Sequence, residues 1–275
     1  ILLPTLAAIT DKYSWRPALG LIIVLTCIMF IVILLFMKNT PKEVGLLPYG
    51  LEEERPASKE NSKGNPIDLA FQSLFQAVKV KEFWLLAGSF FICGLSTNGL
   101  IGTHFISYCF GFGVPFVMAA SLLSFMGVFN LIGTTLSGWL SDRFDNRWLL
   151  FWYYGFRGAS LLLLPYALTQ GSFTLLIIFS VFYGLDWIAT VPPTIGIIRQ
   201  KFGIGQSGVI YGWIFAFHQA GAATAAYGGG LIYQVFNTYT WAFLMAGVFC
   251  LLASLFVISI RKPAAVQLPK PAVMG

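Results

Sequence analysis

Seven apolar runs, each about the length a helix needs to cross a bilayer, constrain this chain more than any other feature in it. A hydrocarbon core about 30 Å thick takes roughly 20 residues of helix. The runs lie at approximately 17–37, 83–107, 115–140, 148–168, 173–197, 208–232 and 241–260. Charged residues make up 10% of the 275, against about 25% in an average soluble domain. The mean hydropathy is +0.77. The expectation is an all-α integral membrane protein with about seven complete transmembrane helices. Its 26 Phe, 11 Tyr and 8 Trp suit lipid-facing surfaces and interfacial belts.

The net charge of +6 would raise nucleic acid as a partner of a soluble protein, but here the basic residues flank apolar spans and read as topology signals. The four cysteines, Cys27, Cys93, Cys109 and Cys250, form no C-x-x-C pair and read as buried small hydrophobes, not metal ligands or a disulfide framework. No H-E-x-x-H, G-x-S-x-G or Walker-type Gly-Lys loop is present, so neither a catalytic set nor a cofactor or metal site is expected. The start, Ile1-Leu2-Leu3-Pro4, has no Met and no charged n-region, so it reads as a chain entered in mid-span.

Residues 38–82 differ in character. They hold seven basic and seven acidic residues and read as a linker between two membrane bundles. Its last part predicts a surface helix: Asn65 caps it, Pro66 suits its first position, and Ile67, Phe71, Leu74 or Phe75, and Val78 share one face that would lie at the membrane interface. Asp11 to Arg16 reads as a short polar loop. Of the 17 Lys and Arg, all but Lys12, Arg16 and Arg157 fall in the linker, in the loops after the second and fourth post-linker spans, or in the tail. By the positive-inside rule those segments, and the C-terminus, are cytoplasmic, in a plasma or inner membrane.

Three ionisable residues sit deep in the spans. Arg157 and His218 lie about ten residues in from the cytoplasmic side, ~15 Å deep at 1.5 Å per residue, and Asp186 is near mid-span. Asp186 is the only acid after Asp145. Two readings of Asp186 with Arg157 stay open: an ion pair locking two helices, or a site for a coupling proton or substrate. His218 reads as a histidine satisfied between helices or a member of that site, and His104, near an outer end, as a wet histidine or a gate. Gly94-Leu95-Ser96-Thr97-Asn98 and Gly184-Leu185-Asp186-Trp187 echo each other, which would put Asn98 and Asp186 in related positions of an inverted repeat, with Trp187 beside the latter. Pro192-Pro193 should break or kink their span.

The loop Gly138-Trp139-Leu140-Ser141-Asp142-Arg143-Phe144-Asp145-Asn146-Arg147 carries a small residue for close helix approach, an acid able to accept from helix N-terminal amides, and arginines for carbonyls or acids. It resembles the G-x-x-x-D-R-x-x-x-R signature of the major facilitator superfamily, in the loop between spans 8 and 9, with Asp145 where many members have Gly. Pro41-Lys42-Glu43-Val44-Gly45-Leu46 and Asn98-Gly99-Leu100-Ile101-Gly102-Thr103-His104-Phe105 are similar to segments of its monocarboxylate and oxalate/formate-type members.

The resemblance implies a major-facilitator-type helical bundle. Residues 1–37 would be part of span 5 and span 6, 38–82 the linker, 83–261 the C-terminal six-helix bundle and 262–275 a cytoplasmic tail. It implies a secondary active transporter of a small solute, proton-coupled, with an organic anion such as a monocarboxylate as the group's substrate. Gly138, Asp142, Arg143 and Arg147 would form a conformational-switch motif. Asp186, Arg157, His218, Asn98, Trp187 and His104 are the candidate site residues, and lipid and the missing N-terminal bundle the further partners. One departure stands out: the resemblance implies an Arg or an Asp-Arg pair in span 8, yet 115–137 carries no charge, which speaks against a carboxylate bound in that way. A seven-span receptor is the rival reading. An intramembrane enzyme is a third, and lacks paired catalytic residues.

Overall fold

The computed structural model describes residues 2–38, 40–46 and 65–261. The middle of the linker and the tail expected at 262–275, with Lys262 and Lys270, lie outside the described residues. All elements among the described residues are helical, as the apolar runs require. The chain divides into two compact units, one spanning Thr5–Leu69 and the other anchored by the residues from Ala70 onward.

The first unit holds most of α1 (Leu2–Lys12) and all of α2 (Trp15–Phe36). The polar loop expected over Asp11–Arg16 shrinks to Tyr13 and Ser14, because Asp11 and Lys12 finish α1 and Trp15 opens α2. A 3₁₀ turn follows at Pro41–Val44. The surface helix appears as α3 (Pro66–Ala77), with Asn65 Oδ1 accepting from the Ile67 amide at 3.2 Å. Its apolar face is divided, however. Leu74 and Val78 turn onto the core, while Ile67, Phe71 and Phe75 stay exposed. Ala77 and Ser73 are buried, so the inward side of α3 runs along small residues and not along its aromatic ones.

The second unit is a bundle. α4 (Lys81–Gly94) passes through a π-helical stretch, Leu95–Ile101, into α5 (Gly102–Gly111). Then come α6 (Phe116–Ser141), α7 (Asn146–Thr169), α8 (Phe173–Asp186), α9 (Val191–Phe202), α10 (Ile204–Phe236) and α11 (Thr240–Ile258). Among the described residues, five helical stretches are long and apolar enough to cross a membrane: Trp15–Phe36, Lys81–Gly111, Phe116–Ser141, Phe173–Phe202 and Thr240–Ile258. α7 and α10, at 24 and 33 residues, have the length but are more polar.

Three helix pairs dominate the packing: α4 with α10, α6 with α8, and α7 with α11. Each crosses on glycine, where backbones approach closely enough to leave no room for a Cβ. Gly94 of α4 lies against the His218 carbonyl of α10, and Gly221 of α10 against the Phe91 carbonyl. Gly133 of α6 lies against the Leu185 carbonyl, and a Cβ on Gly184 would meet the Met126 carbonyl at 2.6 Å. Gly158 and Gly247 meet each other in the third pair. These crossings exchange α4 with α8 and α10 with α6, the correspondence that an inverted repeat of three helices demands.

Candidate functional site

The site is built where a span is cut. α8 ends at Asp186, and α9 does not start until Val191. Between them tighter, four-residue turns replace the helical ladder: the amides of Trp187, Ala189 and Val191 donate to the carbonyls of Gly184, Asp186 and Ile188, three residues back. The sequence placed the interruption at Pro192-Pro193. They occupy the first turn of α9, where a missing N–H costs nothing, and the cut lies just before them.

A cut helix inside a bilayer must have its backbone groups satisfied by protein. The Asp186 and Trp187 carbonyls accept from Arg157 Nη2 at 2.7 and 3.1 Å. The Ile188 amide donates to Asn130 Oδ1 of α6 at 3.1 Å. The Ala189 carbonyl accepts from Ser137 Oγ of α6 at 2.5 Å. Two turns of α6 separate Asn130 and Ser137, so one face of that helix serves both ends of the cut, and Gly133 between them lets it come near enough.

Arg157 does more than cap carbonyls. Its Nε donates to Asp186 Oδ2 at 2.5 Å, and its Nη1 to Cys93 Sγ at 2.9 Å. The side chain is 0% exposed, and Asp186 is 4% exposed. Asp186 Oδ1 is buried without a hydrogen-bond partner among the described residues, as is the Tyr154 hydroxyl beside Arg157. Of the two readings left open for Asp186 with Arg157, the structure contains the ion pair, and that pair is also the fastening of the cut span.

The third deep ionisable residue, His218, is 7% exposed between the rings of Phe215 and Phe90. Its Nδ1 pairs with Gln219 Oε1 at 3.2 Å, and its ring lies within interaction range of Cys93. Cys93 thus stands between His218 and Arg157, and its sulfur also meets Thr190 Oγ1 of the cut segment at 3.6 Å. The sequence reading took Cys93 for a small hydrophobe. It is buried, but it is the contact through which the three ionisable residues come together.

Asn98 lies in the π-helical stretch and is exposed, so the echo with Gly184 relates the interruptions more than the side chains. Both spans lose regular helix at the echo: the π turn begins directly after Gly94, and the cut opens directly after Asp186. Tyr183 of α8 joins the two, its hydroxyl donating to the Ser96 carbonyl at 2.9 Å. Trp187 is half-buried, its ring edge-on to Tyr183. His104 is elsewhere. It pairs through Nε2 with the Ala226 carbonyl at 2.9 Å, lies against Tyr239 and fills the space over Gly229, a helix-joining role.

The loop motif also differs from expectation. Gly138 has open space where a Cβ would sit, so it brings no helix close within this unit. Asp142 closes α6 and is exposed. The acid that accepts from a helix N-terminal amide is Asp145, which caps α7 through the Arg147 amide at 3.0 Å. Arg147 grips Asp145 with Nε and Nη2 and reaches the Ile260 carbonyl with Nη1 at 2.8 Å. Arg143 folds back over Trp139. Asn130, Ser137, Cys93 and Tyr183 were missed. The signal available for the first two was a seven-residue spacing of an amide and a hydroxyl around a glycine in an otherwise apolar run.

Comparison with known proteins adds a relationship. The profile of the Major Facilitator Superfamily matches residues 1–226 and 129–273. The chain is 27% identical over 283 residues to monocarboxylate transporter 12-B of Danio rerio, covering 94% of this chain and 57% of that protein. It is 31% identical over 154 residues to monocarboxylate transporter 13 of Rattus norvegicus, covering 55% and 35%. With the uncharacterized MFS-type transporter YcxA of Bacillus subtilis it shares 27% over 197 residues, covering 70% and 47%. The chain spans about half the length of such relatives.

Proposed function

The chain belongs to the major facilitator superfamily, and from that premise we propose that it acts as a secondary active transporter, moving a small solute by alternating access around the cut in the span Phe173–Phe202. It is an integral, multi-pass membrane protein. The observation that carries the proposal is Asp186: a carboxylate buried at the end of a half-helix, with one oxygen on Arg157 and the other without a partner among the described residues. Ionisable groups inside a membrane are costly, and half-helix ends near mid-depth hold coupling ions in transporters of this architecture.

Asp186 carries the coupling proton in this reading. Protonation weakens one of the four contacts that hold Arg157; the bonds to the Asp186 and Trp187 carbonyls and to Cys93 persist. The carboxyl can therefore load and unload while the cut span stays fastened. Asn98, Trp187 and His218 line or support the site. Gly138, Asp142 and Arg143 lie on an open surface and would meet the N-terminal bundle as the two halves rock. The linker and C-terminus face the cytoplasm by the positive-inside rule. The relatives' names make organic acids the first solutes to assay.

The test is uptake of labelled organic acids and drugs by vesicles holding the full-length protein, driven by an imposed proton gradient. Asp186→Asn should abolish driven accumulation. Unchanged uptake with unchanged pH dependence would sink the role of Asp186. Saturable binding with no net flux of any bound compound would favour a receptor.

A further inference from the structure

We propose that the end of α3 and the first turn of α4 form a docking surface for the headgroups of anionic phospholipids in the cytoplasmic leaflet. The inference rests on the membrane reading and on the orientation that the positive-inside rule gives, and not on which solute the protein moves.

α3 is held to the bundle by its inner side. Leu74 and Val78 pack on the core, Ser73 and Ala77 are buried, and the Trp213 indole N–H of α10 donates to the Ala70 carbonyl at 3.1 Å. The opposite side stays bare. Phe71, Phe75 and Lys79 recur at every fourth residue, with Lys79 in the turn that closes the helix, and all three are exposed. α4 adds Lys81 and Trp84, both exposed and three residues apart on its first turn. The Trp84 indole joins the two pieces: its N–H donates to the Val78 carbonyl at 2.8 Å, next to Lys79. Phe75, Lys79, Lys81 and Trp84 therefore border one patch at the end of a span.

Such a patch fits the headgroup layer of a bilayer. An indole with one polar edge is favoured at that level, beside an exposed phenyl ring that enters the acyl boundary. Lysines there extend their stems along apolar surface and put their ammonium groups among the phosphates. Anionic lipid is selected because the lysine charge is uncommitted. Neither Lys79 nor Lys81 has an ion-pair partner among the described residues. Glu82, the one acid between Ala70 and Trp84, does not neutralise them: it is bonded to Lys201 Nζ at 3.0 Å, and Arg261 lies within its electrostatic range. An apolar protein face laid over the patch would desolvate both lysines, whereas a headgroup layer leaves them wet and opposite a phosphate. Each lysine close to an anionic leaflet contributes roughly fivefold to the preference for negative lipid.

The experiment places the full-length protein in phosphatidylcholine nanodiscs doped with equal low fractions of brominated phosphatidylglycerol or brominated phosphatidylcholine. Bromine quenches nearby indoles, and subtracting the signal of Trp84→Phe isolates the part due to Trp84. The expected result is Trp84-dependent quenching at least fivefold greater for the anionic lipid. The preference should vanish in the double variant Lys79→Gln/Lys81→Gln and persist in Lys79→Arg/Lys81→Arg, which keeps the charge. Equal quenching by the two lipids overturns the proposal, as does a preference that survives the glutamine variant. Weak quenching by both would mean that protein covers the patch, either the N-terminal bundle or a second copy, and overturns it as well.

Discussion

Two spans of this bundle are interrupted at corresponding places, and they solve the same problem differently. In α4–α5 the ladder is widened: the Gly102 amide reaches back five residues to the Thr97 carbonyl, so helix continues through the irregularity. In α8–α9 the ladder is cut, and side chains from α6 and α7 take up the loose backbone groups. The widened span is surrounded by hydroxyls, with Ser96 and Thr97 both donating to the Cys93 carbonyl. The cut span recruits a guanidinium. The difference teaches what a charge is doing in a membrane: it appears where backbone, not side chain, would otherwise be left unsatisfied.

That contrast can be broken experimentally. The largest effect is expected from Arg157→Ala, which strands the Asp186 carboxylate and the Trp187 carbonyl. Losing one partner of a buried pair costs about 3–5 kcal/mol, so little folded protein should survive thermal unfolding in detergent. If Arg157→Ala melts like the parent, the fastening role is wrong. Next come the crossings. Gly94→Ala and Gly133→Ala each force a methyl into a facing backbone and should cost about 1–3 kcal/mol, while Gly138→Ala, pointing into open space, should leave the melting temperature unchanged. Equal tolerance at all three would refute the glycine crossings.

A smaller loss is expected for Asn130→Ala, which leaves the Ile188 amide without its acceptor, at about 1–3 kcal/mol when such a group is buried and less where it is partly exposed. Asn98→Ala at the widened span should not alter stability, and hydrogen exchange of the 186–190 amides would distinguish the two. The smallest measurable loss belongs to Asp145→Ala, which removes a helix cap, about 0.5–2 kcal/mol.

Much of this was legible from residue types. Apolar length located the helices, and the isolation of Asp186 and Arg157 in greasy spans singled out both residues while leaving open whether they pair. Near Pro192-Pro193 the sequence also indicated a break, although the cut falls upstream because proline fits the start of a helix better than its interruption. Other features were not legible, each for a physical reason. A π turn adds one residue to a loop of hydrogen bonds and leaves composition unchanged. Cys93 looks like any buried thiol until the neighbour that donates to it is known. Asp145 looked like a blemish in a motif, yet its place directly before α7 makes it the cap. Gly138 illustrates the converse: the pattern named it, but close approach depends on what lies opposite, which a single span does not state.

The cut also has a consequence in terms of dipoles. Each half-helix carries a partial negative charge at its C-terminal end and a partial positive charge at its N-terminal end. α8 directs its negative end into the break, and Arg157 binds the carbonyls that make up that end. α9 opens on the other side with its positive end. The break is thus provided with counter-charge by backbone alone. Were Asp186 neutralised, as in Asp186→Asn, the guanidinium would still face the negative pole of α8, so the buried arginine does not depend on its carboxylate partner alone.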